Sequence, residues 1–187
     1  MEMQGTRQLA VTQQQAWQGL NDPEVLKACI PGCDSIEATG ENTWDLVNAI
    51  KVGPVAARFK GSIELSDIQP PESYTLTFEG NGGVAGFGKG SAQVRLLPQG
   101  EGCELAYSAN ATVGGKIAQV GQRLIDGVAK SMAESFFKRF EEEMQRRHGP
   151  QPEADAQEEG EKPGALKKMW GKLTGGGKDE PAAQGEA

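Results

Sequence analysis

Hydrophobic and polar positions change period along the chain, and each change predicts an element. Glu2 to Ala10 alternates weakly, as a strand does. Over the next stretch Ala16, Trp17 and Leu20 share one helical face, with Thr12 as the N-cap of a helix over 13–20. Asn21-Asp22-Pro23 opens a second short helix through Cys29, since proline suits a first helical position. Ile30-Pro31-Gly32-Cys33 ends it. From there to residue 113 the period is two. Trp44, Leu46 and Asn48 alternate with polar or outward neighbours, as do Phe59, Gly61, Ile63 and Leu65. Tyr74, Leu76 and Phe78 continue the pattern, followed by Ala92, Val94 and Leu96, and by Leu105, Tyr107, Ala109, Ala111 and Val113. Turn signals at Gly40-Glu41-Asn42, Gly53-Pro54, Pro70-Pro71 and 98–102 separate them, so the strands are antiparallel neighbours.

The spacing then returns to three and four. Ile117, Val120, Leu124, Val128, Met132, Phe136, Phe140 and Met144 form a sustained apolar stripe, which predicts one helix over 116–147. A sheet with one apolar face needs a cover, and this stripe can supply it. The predicted class is α+β: a curved antiparallel sheet with a long C-terminal helix.

Composition removes several function classes. The chain has 187 residues with one histidine, His148, in a polar Arg-Arg-His-Gly-Pro context beside a turn signal. A multi-histidine metal site is excluded, and a histidine-based nucleophile triad is a poor expectation. A net charge of −7 argues against nucleic-acid binding, which needs surplus Lys and Arg. Cys29, Cys33 and Cys103 are odd in number, and Cys29-x-x-x-Cys33 lacks the two-residue spacing of a redox or zinc motif. Met1-Glu2-Met3-Gln4 has neither a basic nor an apolar leader character, and no apolar run reaches about 18 residues. The expectation is reduced, unpaired thiols in a cytoplasmic protein with no bound metal.

Three patterns inside the folded part carry two readings each. Gly80 to Gly90 is a wide hairpin or a mobile rim over a cavity with Phe87 as its lid; a P-loop is excluded by strands on both sides and the missing Lys-Ser/Thr. Val113-Gly114-Gly115-Lys116 either eases the strand-to-helix reversal or aims a helix N-terminus at a polar ligand group. The inward residues Gly61, Ala92, Ala109 and Ala111 mean either close helix-to-sheet packing or a gap holding an apolar ligand.

Composition shifts sharply at Gly149. Residues 1–148 read as one domain, 149–163 as a flexible acidic linker, and 175–187 as a disordered tail. Between the last two, Leu166, Met169, Trp170 and Leu173 fall at i, i+3, i+4 and i+7, with Lys167, Lys168 and Lys172 around them. A basic amphipathic segment of this kind suits a membrane interface or a partner's groove. It is long enough to tether and too short to span.

Residues 1–147 resemble the CoxG family, named for the G-type subunit of carbon monoxide dehydrogenase, within the START-like/SRPBCC superfamily. The likeness lies in Gln15-Ala16-Trp17 with Leu20, Asn21-Asp22-Pro23 and Leu26, and in Cys29-Ile30-Pro31-Gly32-Cys33. It continues in Ala85 to Ala92 and, most specifically, in Val113 to Ile125. The resemblance implies a helix-grip fold of six to seven strands wrapped around the helix over a hydrophobic cavity. It also implies association with a molybdenum–copper carbon monoxide dehydrogenase, or a related molybdenum hydroxylase, on the cytoplasmic face of the inner membrane. Under that resemblance the small inward residues favour a cavity and the tail favours a membrane. The expected function is non-enzymatic carriage of an isoprenoid quinone, with no covalently bound cofactor and no nucleic acid partner. The expected cavity residues are Phe59, Ile63, Phe78, Phe87, Tyr107, Ala109, Ile117, Val120, Leu124 and Val128, with Tyr107 as the polar handle. Two alternatives stand beside it: a membrane-recruitment adaptor or assembly factor without carriage, and a cyclase or hydrolase using Asn48, Glu79 or Asn110.

Overall fold

The computed structural model describes residues 1–149, in the order β1 (Glu2–Leu9), α1 (Gln13–Leu20), α2 (Pro23–Cys29), β2 (Cys33–Gly40), β3 (Thr43–Val52), β4 (Val55–Gln69), β5 (Ser73–Asn81), β6 (Phe87–Gln99), β7 (Gly102–Gly114) and α3 (Gln122–His148). The acidic linker from Pro150 on, the 164–174 segment and the tail lie outside the described residues. No helix among the described residues is long and apolar enough to cross a membrane.

The seven strands form one antiparallel sheet ordered β1-β7-β6-β5-β4-β3-β2. Hairpins join β2 through β7 in chain order, while α1 and α2 occupy the excursion that carries the chain from β1 at one edge to β2 at the other. Local chemistry sets the ends of those helices. Gln15 N–H donates to Thr12 Oγ1 at 3.2 Å and Thr12 N–H donates back to Gln15 Oε1 at 3.0 Å, a reciprocal cap that satisfies two otherwise unpaired donors. Asp22 accepts from the Glu24 N–H at 2.8 Å and so caps α2 immediately before Pro23.

Two features depart from the sequence expectation. The 116–147 helix is interrupted: Lys116–Val120 is a 3₁₀ segment, Gly121 adopts φ +99°, and α3 starts only at Gln122. A φ of that sign is costly for any residue with a Cβ, so glycine permits a break that periodicity alone does not reveal. The other departure is β2, which the alternation did not distinguish. It is an edge strand with Ile36 as its single buried side chain, so it has too few inward positions to show a period.

The core divides into two clusters. The larger joins Trp17, Leu20 and Val25 of the short helices to Trp44, Leu65, Tyr74, Leu96 and Leu105 of the sheet, and to Phe137, Phe140 and Met144 of α3. Trp17 meets Tyr74 edge-on at 5.5 Å between centroids, and Phe136 stacks on Phe140 at 5.9 Å. The smaller cluster gathers Val52, Val55, Phe59, Ala85, Ile117 and Ile125 near the start of α3. Between the two, α3 stands off the sheet.

Candidate functional site: an apolar cavity between sheet and helix

The space left between the clusters is a cavity of ≈ 470 Å³ whose surface is almost entirely apolar. Its sheet side follows the cross-strand register. Phe59 lies opposite Asn48; Ile63 pairs with Phe78, which pairs with Gly90 and then Ala111; Leu76 pairs with Ala92, then Ala109, then Met3. On the helix side Ile125, Val128, Ala129, Met132, Ala133 and Phe136 recur at helical spacing. Ile30 and Pro31, in the α2–β2 connection, close one end.

The glycines of the sheet wall answer to the backbone. A Cβ on Gly61 would run into the Glu79 carbonyl oxygen of the next strand, and one on Gly90 into the Asn110 carbonyl oxygen and, at 2.7 Å, the Phe78 ring. Strands that approach so closely where the sheet bends admit no side chain at these positions. The two readings of the small inward residues therefore divide by residue type: the glycines serve close strand packing, while Ala109 and Ala111, facing Ala129 and Ala133 of α3, border the open volume.

Seven of the ten residues expected to line a cavity do so: Phe59, Ile63, Phe78, Phe87, Ala109, Ile117 and Val128. Three do not. Tyr107 pairs with Gly5 and Val94, and its ring packs on Phe137 at 5.2 Å, inside the larger core and away from the cavity. It cannot be the polar handle. Val120 packs against the smaller core cluster below the cavity. Leu124 is 42% exposed while Ile125 is 7% exposed, because the break at Gly121 resets the helical phase by one residue. Lining residues that the strand alternation and the stripe did not single out come from the chain start (Met1, Met3), the end of β3 (Ile50, Val52) and the helix (Ile125, Ala129).

The cavity has few polar groups. Glu79 and Lys89 are cross-strand partners at its edge, and Asn110 Nδ2 donates to Ser91 Oγ at 3.2 Å. Asn48 differs from them: it is 8% exposed, and its Oδ1 is fully enclosed with no hydrogen-bond donor. Among the described residues no group of His, Cys, Asp or Glu is arranged to hold a metal ion. A second depression of ≈ 750 Å³ runs over the outer face of the sheet past Glu37, Asp45, Lys60 and Ser62. Its mixed charges are those of a solvated face. Gly80 to Gly90 is a hairpin with a 3₁₀ turn at Gly83–Ala85, and Phe87, 43% exposed, reaches the cavity rim from it.

The geometry accords with what the chain is similar to. The sequence profile of CoxG, described as the G-type subunit of carbon monoxide dehydrogenase, matches residues 5–145. The crystal structure of a conserved protein from Geobacillus kaustophilus superposes with a TM-score of 0.74 at 36% identity, covering 78% of this chain and 96% of that one. A START superfamily protein from Mycobacterium smegmatis gives a TM-score of 0.60 at 12% identity, with 78% and 98% covered. The Zhui aromatase/cyclase from Streptomyces sp. R1128 gives 0.57 at 12%, with 79% and 92% covered. At such identities the last two share the fold alone. Among curated protein sequences none matches the chain.

Proposed function

The chain belongs to the CoxG family of carbon monoxide dehydrogenase, and from that premise we propose that it carries an isoprenoid quinone, without catalysing a reaction, between a molybdenum carbon monoxide dehydrogenase and the membrane quinone pool. The family name ties the chain to carbon monoxide dehydrogenase. The observation that carries the reading is the cavity itself. Its ≈ 470 Å³ falls within the usual range of small-molecule sites, about 300–1,000 Å³, and its apolar walls favour a ligand with little to hydrogen-bond. A quinone ring lies against Phe59, Phe78 and Phe136, and the isoprenoid tail leaves past Phe87, where the wall meets solvent. The helix-grip fold also serves an aromatase/cyclase, but here the polar groups are single and scattered through an apolar lining.

In this reading the 164–174 segment holds the protein on the cytoplasmic face of the inner membrane. Leu166, Met169, Trp170 and Leu173 enter the interface, while Lys167, Lys168 and Lys172 meet anionic headgroups at about 1 kcal/mol each. Attachment of that strength is reversible, as a shuttle requires.

Organic extraction of purified full-length protein, followed by mass spectrometry, tests carriage: an isoprenoid quinone is expected, and lipid-free protein that takes up no added quinone overturns it. Flotation on anionic vesicles tests the anchor by comparing the full chain with a chain ending at His148. Equal flotation removes the tail from that role. Recruitment of the dehydrogenase to vesicles without recovered quinone would instead establish the adaptor reading.

A further inference from the structure

A buried acceptor without a donor costs about 1–3 kcal/mol, so native structures rarely keep one without a purpose. Asn48 Oδ1 is such an acceptor, and it belongs to a residue of the wall of the apolar cavity. The backbone explains why the carboxamide has no partner in the chain. Asn48 lies on β3 opposite Phe59 of β4 and Cys33 of β2, and above it runs the Ile30-Pro31-Gly32 connection. Gly32 approaches so closely that a Cβ there would stand 3.0 Å from Asn48 Oδ1, yet its carbonyl is taken by the Ala49 N–H at 2.8 Å. Pro31 has no N–H to give. Phe59, Ile30 and Leu46, which line the same part of the cavity, have no side-chain donor.

We propose that Asn48 is the polar recognition point of this cavity and that it selects an apolar ligand bearing a hydroxyl. The inference rests on the carrier reading and narrows it. A carboxamide presents one acceptor and one donor side by side, and a hydroxyl is the small group that matches both. An ether or a carbonyl offers only acceptors and leaves Oδ1 unpaired. Discrimination of this kind comes from the penalty on the mismatched ligand, since the site's own buried group then stays unsatisfied. For a quinone couple, the reduced form with its hydroxyl groups is the one so recognised.

The test uses two probes that differ by one donor hydrogen, 1-naphthol and 1-methoxynaphthalene, titrated calorimetrically into the full-length, lipid-extracted protein. The wild type is expected to bind 1-naphthol about tenfold more tightly. Asn48→Leu, which removes the orphan acceptor, is expected to lose that ratio while still binding both probes, and Asn48→Thr, which keeps an oxygen, to retain part of it. Equal binding by the wild type overturns the proposal and leaves carriage standing, as does a preference that survives Asn48→Leu. Binding of neither probe overturns the carrier reading and this proposal with it.

Discussion

Burial raises the thiol pKa of all three cysteines, Cys29 to about 11 with the nearby Glu143 carboxylate adding to the effect. Cys29 and Cys103 sit inside the larger core cluster and Cys33 at its margin, and all three are free. A protonated, enclosed thiol is a poor nucleophile. At neutral pH a disulfide reagent such as DTNB should modify Cys33 slowly, and Cys29 and Cys103 only after unfolding; three fast-reacting thiols would contradict this packing. Phe140 shows the same closeness in apolar form. It is fully buried under Phe136 and beside Gly19, so Phe140→Ala should cost about 3–5 kcal/mol in denaturant unfolding. Phe140 was legible as a stripe residue because its inward position repeats at helical spacing. Tyr107 misled for the opposite reason: it alternates correctly, but which part of the concave face α3 covers is decided by Phe137, a residue off the stripe.

Among the elements, the short helices are the most fully written in the local sequence. Thr12 and Gln15 complete their mutual cap within four residues, so no distant contact is needed to place the start of α1. Thr12→Ala should lower stability by about 1 kcal/mol, read as a shift in the thermal midpoint. At the far end of α3, Glu143 accepts from Arg146 and Arg147, and Arg147 also reaches Asp22 at 2.9 Å, which fastens the helix end to the cap of α2. The hydrogen bonds from Arg146, then Arg147, hold the Glu143 carboxyl below the usual carboxylate range. A carboxyl lowered on folding stabilises the native state above its unfolded pKa and loses that contribution as pH falls through the folded one. Glu143→Gln should therefore lower the thermal midpoint at pH 7 by an amount worth no more than about 1 kcal/mol, and the difference from wild type should close on acidification. A difference that persists below pH 3 would mean packing, not charge, is responsible. The break at Gly121 was not legible in the same way: the apolar spacing runs straight across it, and only the φ of +99° discloses that Ile125 replaces Leu124 on the inner face.

For the molecule as a whole, class and topology followed from periodicity, while the cavity did not. Alternation tells which side chains face inward but is silent on how far the covering helix stands away. That distance is set here by two separate clusters of bulky residues holding α3 like end supports, with alanines between them. Filling the interval should separate binding from stability. Met132→Trp is expected to abolish probe and quinone uptake while leaving the unfolding midpoint unchanged or higher, since it replaces void by apolar contact. Undiminished uptake by this variant would place the ligand elsewhere.

The glycines of the sheet wall also constrain how such a protein can diversify. Because Gly61 and Gly90 touch the main chain of neighbouring strands, no substitution there can reshape the pocket without breaking the sheet that forms it. One jaw of the grip is thus closed to change. A descendant taking a different cargo has to record the new fit on α3 and the connecting loops, so relatives with unlike ligands should vary along 125–136 and keep the strand glycines.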